Sequence, residues 1–111
     1  MNAQLSQDEW VATVEMNTEC NEKWILDYYL QRLDAKNEDE QDITFFGIRV
    51  DKSNPEGVLH EREATHAITE NHETALEMAR AFAKGIVPPV TLLEMTDEWL
   101  SESEAADFQS A

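Results

Sequence analysis

Residues 23–33 read Lys23-Trp24-Ile25-Leu26-Asp27-Tyr28-Tyr29-Leu30-Gln31-Arg32-Leu33, and the fold turns on whether this run is a helix or a strand. Wound as a helix, it puts Ile25, Leu26, Tyr29, Leu30 and Leu33 on one stripe, a good match to a 3.6-residue period. Extended, it puts Trp24, Leu26, Tyr28 and Leu30 on one face and Ile25, Tyr29 and Leu33 on the other. Two adjacent tyrosines beside Trp and Ile favour the strand by propensity. Periodicity alone leaves both open.

The flanks are clearer. Upstream, Trp10, Ala12, Val14 and Met16 alternate with Glu9, Val11, Thr13 and Glu15, which predicts a half-buried strand over Asp8–Met16. Asn17 to Glu22 is polar and turn-like. Downstream, Asp34–Asp42 (DAKNEDEQD) reads as a polar loop carrying five carboxylates. Ile43–Asp51 follows as a strand with Phe45, Gly47 and Arg49 opposite Thr44, Phe46, Ile48 and Val50. Ser53-Asn54-Pro55-Glu56-Gly57 is a turn signal, since Pro fixes φ and Gly permits φ > 0. Val58–Ile68 is then the return strand, polar enough for an edge.

Helix signals begin at Thr69 or Asn71, either of which can cap. Ala75, Leu76, Ala79, Phe82, Ala83 and Ile86 form a helical stripe, and Gly85 is expected to supply the left-handed stop. Pro88 and Pro89 impose an extended link. Thr91 with Glu94 makes a capping-box pattern. A second helix is expected from about Leu92 to Leu100, burying Leu92, Met95, Trp99 and Leu100. The sum is an α+β domain over residues 1–100: an antiparallel sheet of about four strands with two C-terminal helices packed on one face. Residues 101–111 read as an acidic, flexible tail.

Three segments carry a resemblance: Tyr28-Tyr29-Leu30, then Phe46-Gly47-Ile48-Arg49-Val50, then Pro89-Val90-Thr91-Leu92 through Asp97-Glu98-Trp99-Leu100. Together they resemble a family of short uncharacterised proteins of Gram-positive bacteria and their mobile elements. The resemblance covers residues 24–100 and leaves the N-terminal strand outside it. Phe46 stands where that family has tyrosine, and Pro88 where it has threonine. The resemblance implies that residues 23–33 are a strand. It implies no activity, because the family is a domain of unknown function.

Composition narrows the function classes. The chain has 111 residues with 24 acids against 8 Lys and Arg, a net charge of −16. So acidic a surface is repelled by phosphates, which argues against direct contact with nucleic acid or an anionic membrane. One cysteine, no basic-apolar leader and no long apolar run point to a cytoplasmic protein. The charge is uneven. Residues 1–42 hold 11 acids and 3 bases, residues 43–90 hold 7 and 5, and residues 91–111 hold 6 and none.

Catalytic and metal-binding constellations are not evident. Cys20 lies among carboxylates, which raise a thiol pKa rather than lower it. His60 and His66, six residues apart on one strand, are separated by roughly 20 Å, and His72 suits a helix cap. The 34–42 loop lacks the glycine and helical frame of a calcium loop. No catalytic residue, metal site or cofactor is therefore expected. What remains is two acidic blocks: Asp34, Glu38, Asp39, Glu40 and Asp42, and then Glu94, Asp97, Glu98, Glu102 and Glu104 with Asp107. One reading makes them a solvated surface on an accessory domain, dimeric through an edge strand. The leading reading makes them a carboxylate surface that mimics nucleic acid and blocks a basic protein such as a nuclease. Small phage and mobile-element inhibitors, anti-CRISPR proteins among them, are alike in size and charge only. Trp99 or Phe46 would serve as apolar anchors.

Overall fold

Residues 23–33 are a strand. In the computed structural model, which describes the backbone of residues 4–109 and the side chains of residues 5 and 7–101, the elements run as follows. Four strands come first: β1 (Gln4–Asn17), β2 (Lys23–Lys36), β3 (Asp42–Ser53) and β4 (Leu59–Ala64). They are followed by α1 (His72–Lys84), a 3-10 turn (Pro89–Thr91) and α2 (Leu92–Gln109). The strands form an antiparallel meander in sequence order. β2 is a central strand, so both of its side-chain faces are used, which is why its sequence fits a helical stripe as well as an alternating one. Leu26, Tyr28 and Leu30 face the helices and are buried; Gln31, Leu33 and Ala35 are buried on the opposite face.

The core lies between the sheet and α1, where Leu26, Tyr28, Ile48 and Val50 meet Met78, Ala79, Phe82 and Ala83. Both helices cover this one face, as the strand-then-helix order predicts. Tyr28 reaches through the core to donate a 2.8 Å hydrogen bond to the carbonyl oxygen of Val87, tying the interhelical link to β2. Burial pushes its phenol well above the ordinary tyrosine range.

Three hairpins use one turn. At 18–22, 37–41 and 54–58 the first residue's N–H donates to the fifth residue's carbonyl, and the fourth residue's N–H donates back to the first residue's carbonyl. Each time a side-chain oxygen at the first position (Thr18, Asn37, Asn54) accepts from the backbone N–H of the fifth. Each time the fourth residue has positive φ: Asn21, Glu40 and Gly57. A type I turn followed by a left-handed residue matches the twist of the flanking strands.

Several boundaries differ from expectation, for physical reasons. β2 and β3 continue through Asp34 and Asp42, leaving only residues 37–41 as turn. A bulge between Trp10 and Ala12 puts Trp10 on the face opposite Ala12 and Val14, so the expected alternation breaks there. β4 stops at Ala64, and Thr69 makes one further bridge, to Phe46. Thr91 lies in the 3-10 turn with its hydroxyl donating to the Pro88 carbonyl, so the capping box is not formed. α2 runs past Leu100 because Ser101 to Gln109 contains no Gly or Pro to stop it. Residues 110–111 of the expected tail lie outside the described residues.

The end of α1 is the sharpest correction. Gly85 has φ −84°, and the left-handed position is Ile86, at φ 54°. Val87 N–H bonds the Phe82 carbonyl and Ile86 N–H bonds that of Ala83, which is a Schellman closure with a β-branched residue where glycine is preferred. Ile86 is 42% exposed, so little burial offsets that strain. Ile86→Gly should therefore stabilise the fold by about 1 kcal/mol and raise Tm by roughly 5 °C in a thermal melt. A lower Tm would show that the Ile86 side chain matters more than its backbone.

Candidate functional site

The first acidic block sits on the β2–β3 hairpin. Asp34 and Asp42 are strand residues with partners on neighbouring strand positions. Asp34 accepts from the Thr44 hydroxyl at 3.1 Å and lies 3.3 Å from Arg32 Nε; Asp42 lies 3.7 Å from Lys36 Nζ. Glu38, Asp39 and Glu40 are exposed at the tip. There Asn37 Oδ1 accepts from the backbone N–H of Asp39 and of Gln41, which fixes how the tip projects. Of the expected five, Asp34 is half-buried and hydrogen-bonded within the sheet, while Asp42, its side chain 90% exposed, faces solvent as the three tip acids do.

The second block is carried by α2. Glu94, Asp97 and Glu98 are exposed, and Glu94 falls in the first turn, where the helix dipole favours an acid. Glu102 and Glu104 continue the same helix; their side chains lie outside the described residues, as does that of Asp107. α2 packs mainly on the 3-10 turn and on β4. β4 pairs with Arg49–Ser53, the half of β3 remote from the 37–41 turn. Among the described residues the two blocks are carried by different elements, the β2–β3 hairpin and α2. Of the two expected anchors, Trp99 packs edge-on against Phe82 at 6.1 Å and Phe46 against His72 at 5.2 Å. Both are tied into packing on the helical side.

Sequence reasoning missed a cleft of about 270 Å³ where α1 begins above the sheet. Leu30 and Phe46 line it together with Gln7, Glu9, Arg32 and His72. His72 Nε2 lies 3.6 Å from Glu9 and its Nδ1 3.5 Å from Glu73, while the cap of α1 is Asn71, whose Oδ1 accepts from Thr74 N–H. The bulge that turns Trp10 away is what brings Glu9 into line with Leu30. No local signal in the sequence marks that bulge. The cleft falls just below the 300–1,000 Å³ usual for small-molecule sites.

A second missed feature crosses the sheet face turned away from the helices. Asp8 on β1 pairs with Arg49 on β3; Arg49 lies over the Tyr29 ring at 4.1 Å; Asp51 receives two bonds from Arg62 on β4, at 2.8 and 3.0 Å. Gln31 donates to Asp8 at 3.2 Å, and the Thr13 hydroxyl donates to Asp27. The hydrogen bond to the Asp51 carboxylate holds the Arg62 guanidinium above its ordinary pKa.

Among the described residues no group of three or more His, Cys, Asp or Glu is placed to hold a metal ion. Among them, too, no helix is long and apolar enough to cross a membrane. Comparison with curated proteins and with solved structures gives no match. Comparison with family models gives one that spans nearly the whole described chain and takes in most of β1, the strand that the resemblance had left out. The chain belongs to the family of unknown function DUF6514, whose model matches residues 7–102.

Proposed function

We propose that this chain is a small cytoplasmic, non-enzymatic binding module that presents carboxylates to a basic protein surface. The partner is a nuclease or another nucleic-acid-handling protein, blocked in the manner of a phage or mobile-element inhibitor. The observation that carries this reading is the exposure of Glu38, Asp39 and Glu40 on a turn braced by Asn37, with no ion pair to any of the three among the described residues. Clustered like charge destabilises a small fold by self-repulsion, so an unpaired cluster on a rigid tip calls for a compensating use. Carboxylates held outward in this way can take the place of phosphates in an Arg- and Lys-lined groove, and long-range attraction speeds the encounter.

The test is affinity capture from a host lysate at low and at high salt. A basic nucleic-acid-binding protein should be retained at low salt and released at high salt. Charge reversal by Glu38→Lys, Asp39→Lys and Glu40→Lys together should slow its association by about tenfold or more. Unchanged capture by the reversed protein at low salt would sink the proposal and leave the acidity as a solvated surface.

A further inference from the structure

We infer that the sheet face turned away from the helices is a self-association surface, on which a second copy of this chain docks face to face. Charge is the first observation. This face carries four acids (Asp8, Glu15, Asp27, Asp51) against three bases (Lys23, Arg49, Arg62), a net of −1 in a chain of −16. Nearly all of the excess negative charge is therefore held elsewhere. A basic partner would be drawn to the rest of the molecule, whereas two strongly acidic copies can approach without repulsion only through a face that is neutral in itself.

The pattern of that charge is self-complementary. From the β1 edge to the β4 edge the linked groups run Asp8, Arg49, Asp51, Arg62, acid and base in turn. In a copy turned over about a two-fold axis lying in the face and crossing that line, the order reverses. The more exposed ends, Asp8 and Arg62, then stand opposite Arg62 and Asp8 of the other copy, while Arg49 and Asp51 stay largely buried in their own pairs. Such isologous matching is what a closed dimer needs. Trp10 and Leu5, 59% and 52% exposed, stand on the same face beside Tyr29 and Leu33. Trp, Tyr and Arg are the side chains that most often anchor an interface.

Size and edges agree. The four strands hold 14, 14, 12 and six residues, which at usual strand spacings present about 700 Å². A part of that area, at Gly47, is already covered by the His66 backbone. A stable interface takes roughly 800 Å² from each partner. Strand addition at an edge, the alternative route to a dimer, is opposed on both sides. β1 is interrupted by two bulges, and β4 is six residues long with His60, Glu61, Arg62 and Glu63 in its middle.

Sedimentation equilibrium from micromolar to millimolar concentration tests this. The unsubstituted chain should approach twice its 12.7 kDa mass, and should do so more readily at high salt, where like-charge repulsion is screened. Trp10→Glu and Leu5→Glu, each with an unchanged circular dichroism spectrum, should return the single-chain mass. Leu93→Glu, on the helical side, should leave the dimer intact. A single-chain mass at every concentration, a dimer that survives both sheet-face substitutions, or one abolished by Leu93→Glu would each overturn the inference. The hairpin reversal described above should not affect the dimer, and Trp10→Glu should not affect capture of a basic partner, so the two readings fail separately.

Discussion

Gly47→Ala should be the most damaging small substitution in this chain, lowering stability by about 3 kcal/mol and Tm by roughly 15 °C. Gly47 lies mid-strand on β3, pointing away from the helices. A Cβ built there would fall 1.9 Å from the carbonyl oxygen of His66 and 2.8 Å from its carbonyl carbon. Both are backbone atoms, so no side-chain rotation relieves the clash. The chain passes this close because Thr65 pairs with Ile48 while Ile68 and Thr69 pair with Phe46, leaving His66 and Ala67 to arch across Gly47. His66 itself sits at φ 62° to make that arch. Displacing it would loosen the entry to α1 and with it the cleft around His72. Gly85→Ala is the matched control: its nearest neighbour is 3.5 Å away and its φ is ordinary, so it should be neutral or slightly stabilising. Equal effects of the two substitutions in a thermal melt would mean that the arch moves aside at little cost.

The same glycine shows how much of the fold was legible. Phe46-Gly47-Ile48 belongs to the run that marked the family, but the residue that makes glycine necessary is His66, distant in sequence and without a signal of its own. α1 was legible because its signals are local: a capping Asn71, an apolar stripe and a glycine near the stop. Even so, the structure buries Met78 where the stripe named Leu76, and moves the left-handed residue to Ile86. The hairpin turns were legible as polar breaks. Their common design was hidden because the left-handed position is filled by Asn, Glu and Gly in turn.

The candidate site was legible in composition and not in geometry. The acid-rich stretch 34–42 was found, yet Asp34 and Asp42 are strand residues with their own partners, which only the register reveals. The near-neutral sheet face was invisible for a related reason. A one-residue slip moves every side chain to the other face, and β1 contains two such irregularities. Until the bulge between Trp10 and Ala12 is known, Trp10 groups with Ala12 and Val14 instead of with Tyr29.

Asp51→Ala should cost about 2–3 kcal/mol, read as a lower urea midpoint at unchanged slope. The Asp51 side chain is 9% exposed and answers two guanidinium groups, Arg62 through two hydrogen bonds and Arg49 at 3.2 Å. Arg49 is 14% exposed, and its Nε is buried without a hydrogen bond, so it already depends on nearby charge rather than on water. Removing Asp51 leaves it with Asp8 and the Tyr29 ring. Arg62 is half exposed and can return to solvent, which keeps the cost below that of a fully buried pair. The substitution also reduces the excess negative charge by one from −16, which would stabilise the chain slightly, so a loss must come from the local pairing. Arg62→Ala should cost under about 1 kcal/mol, because an exposed partner contributes little and its removal leaves Asp51 with Arg49. The asymmetry is the informative result. Equal losses in the two variants would mean that the exposed guanidinium, rather than the buried carboxylate, organises this face of the sheet.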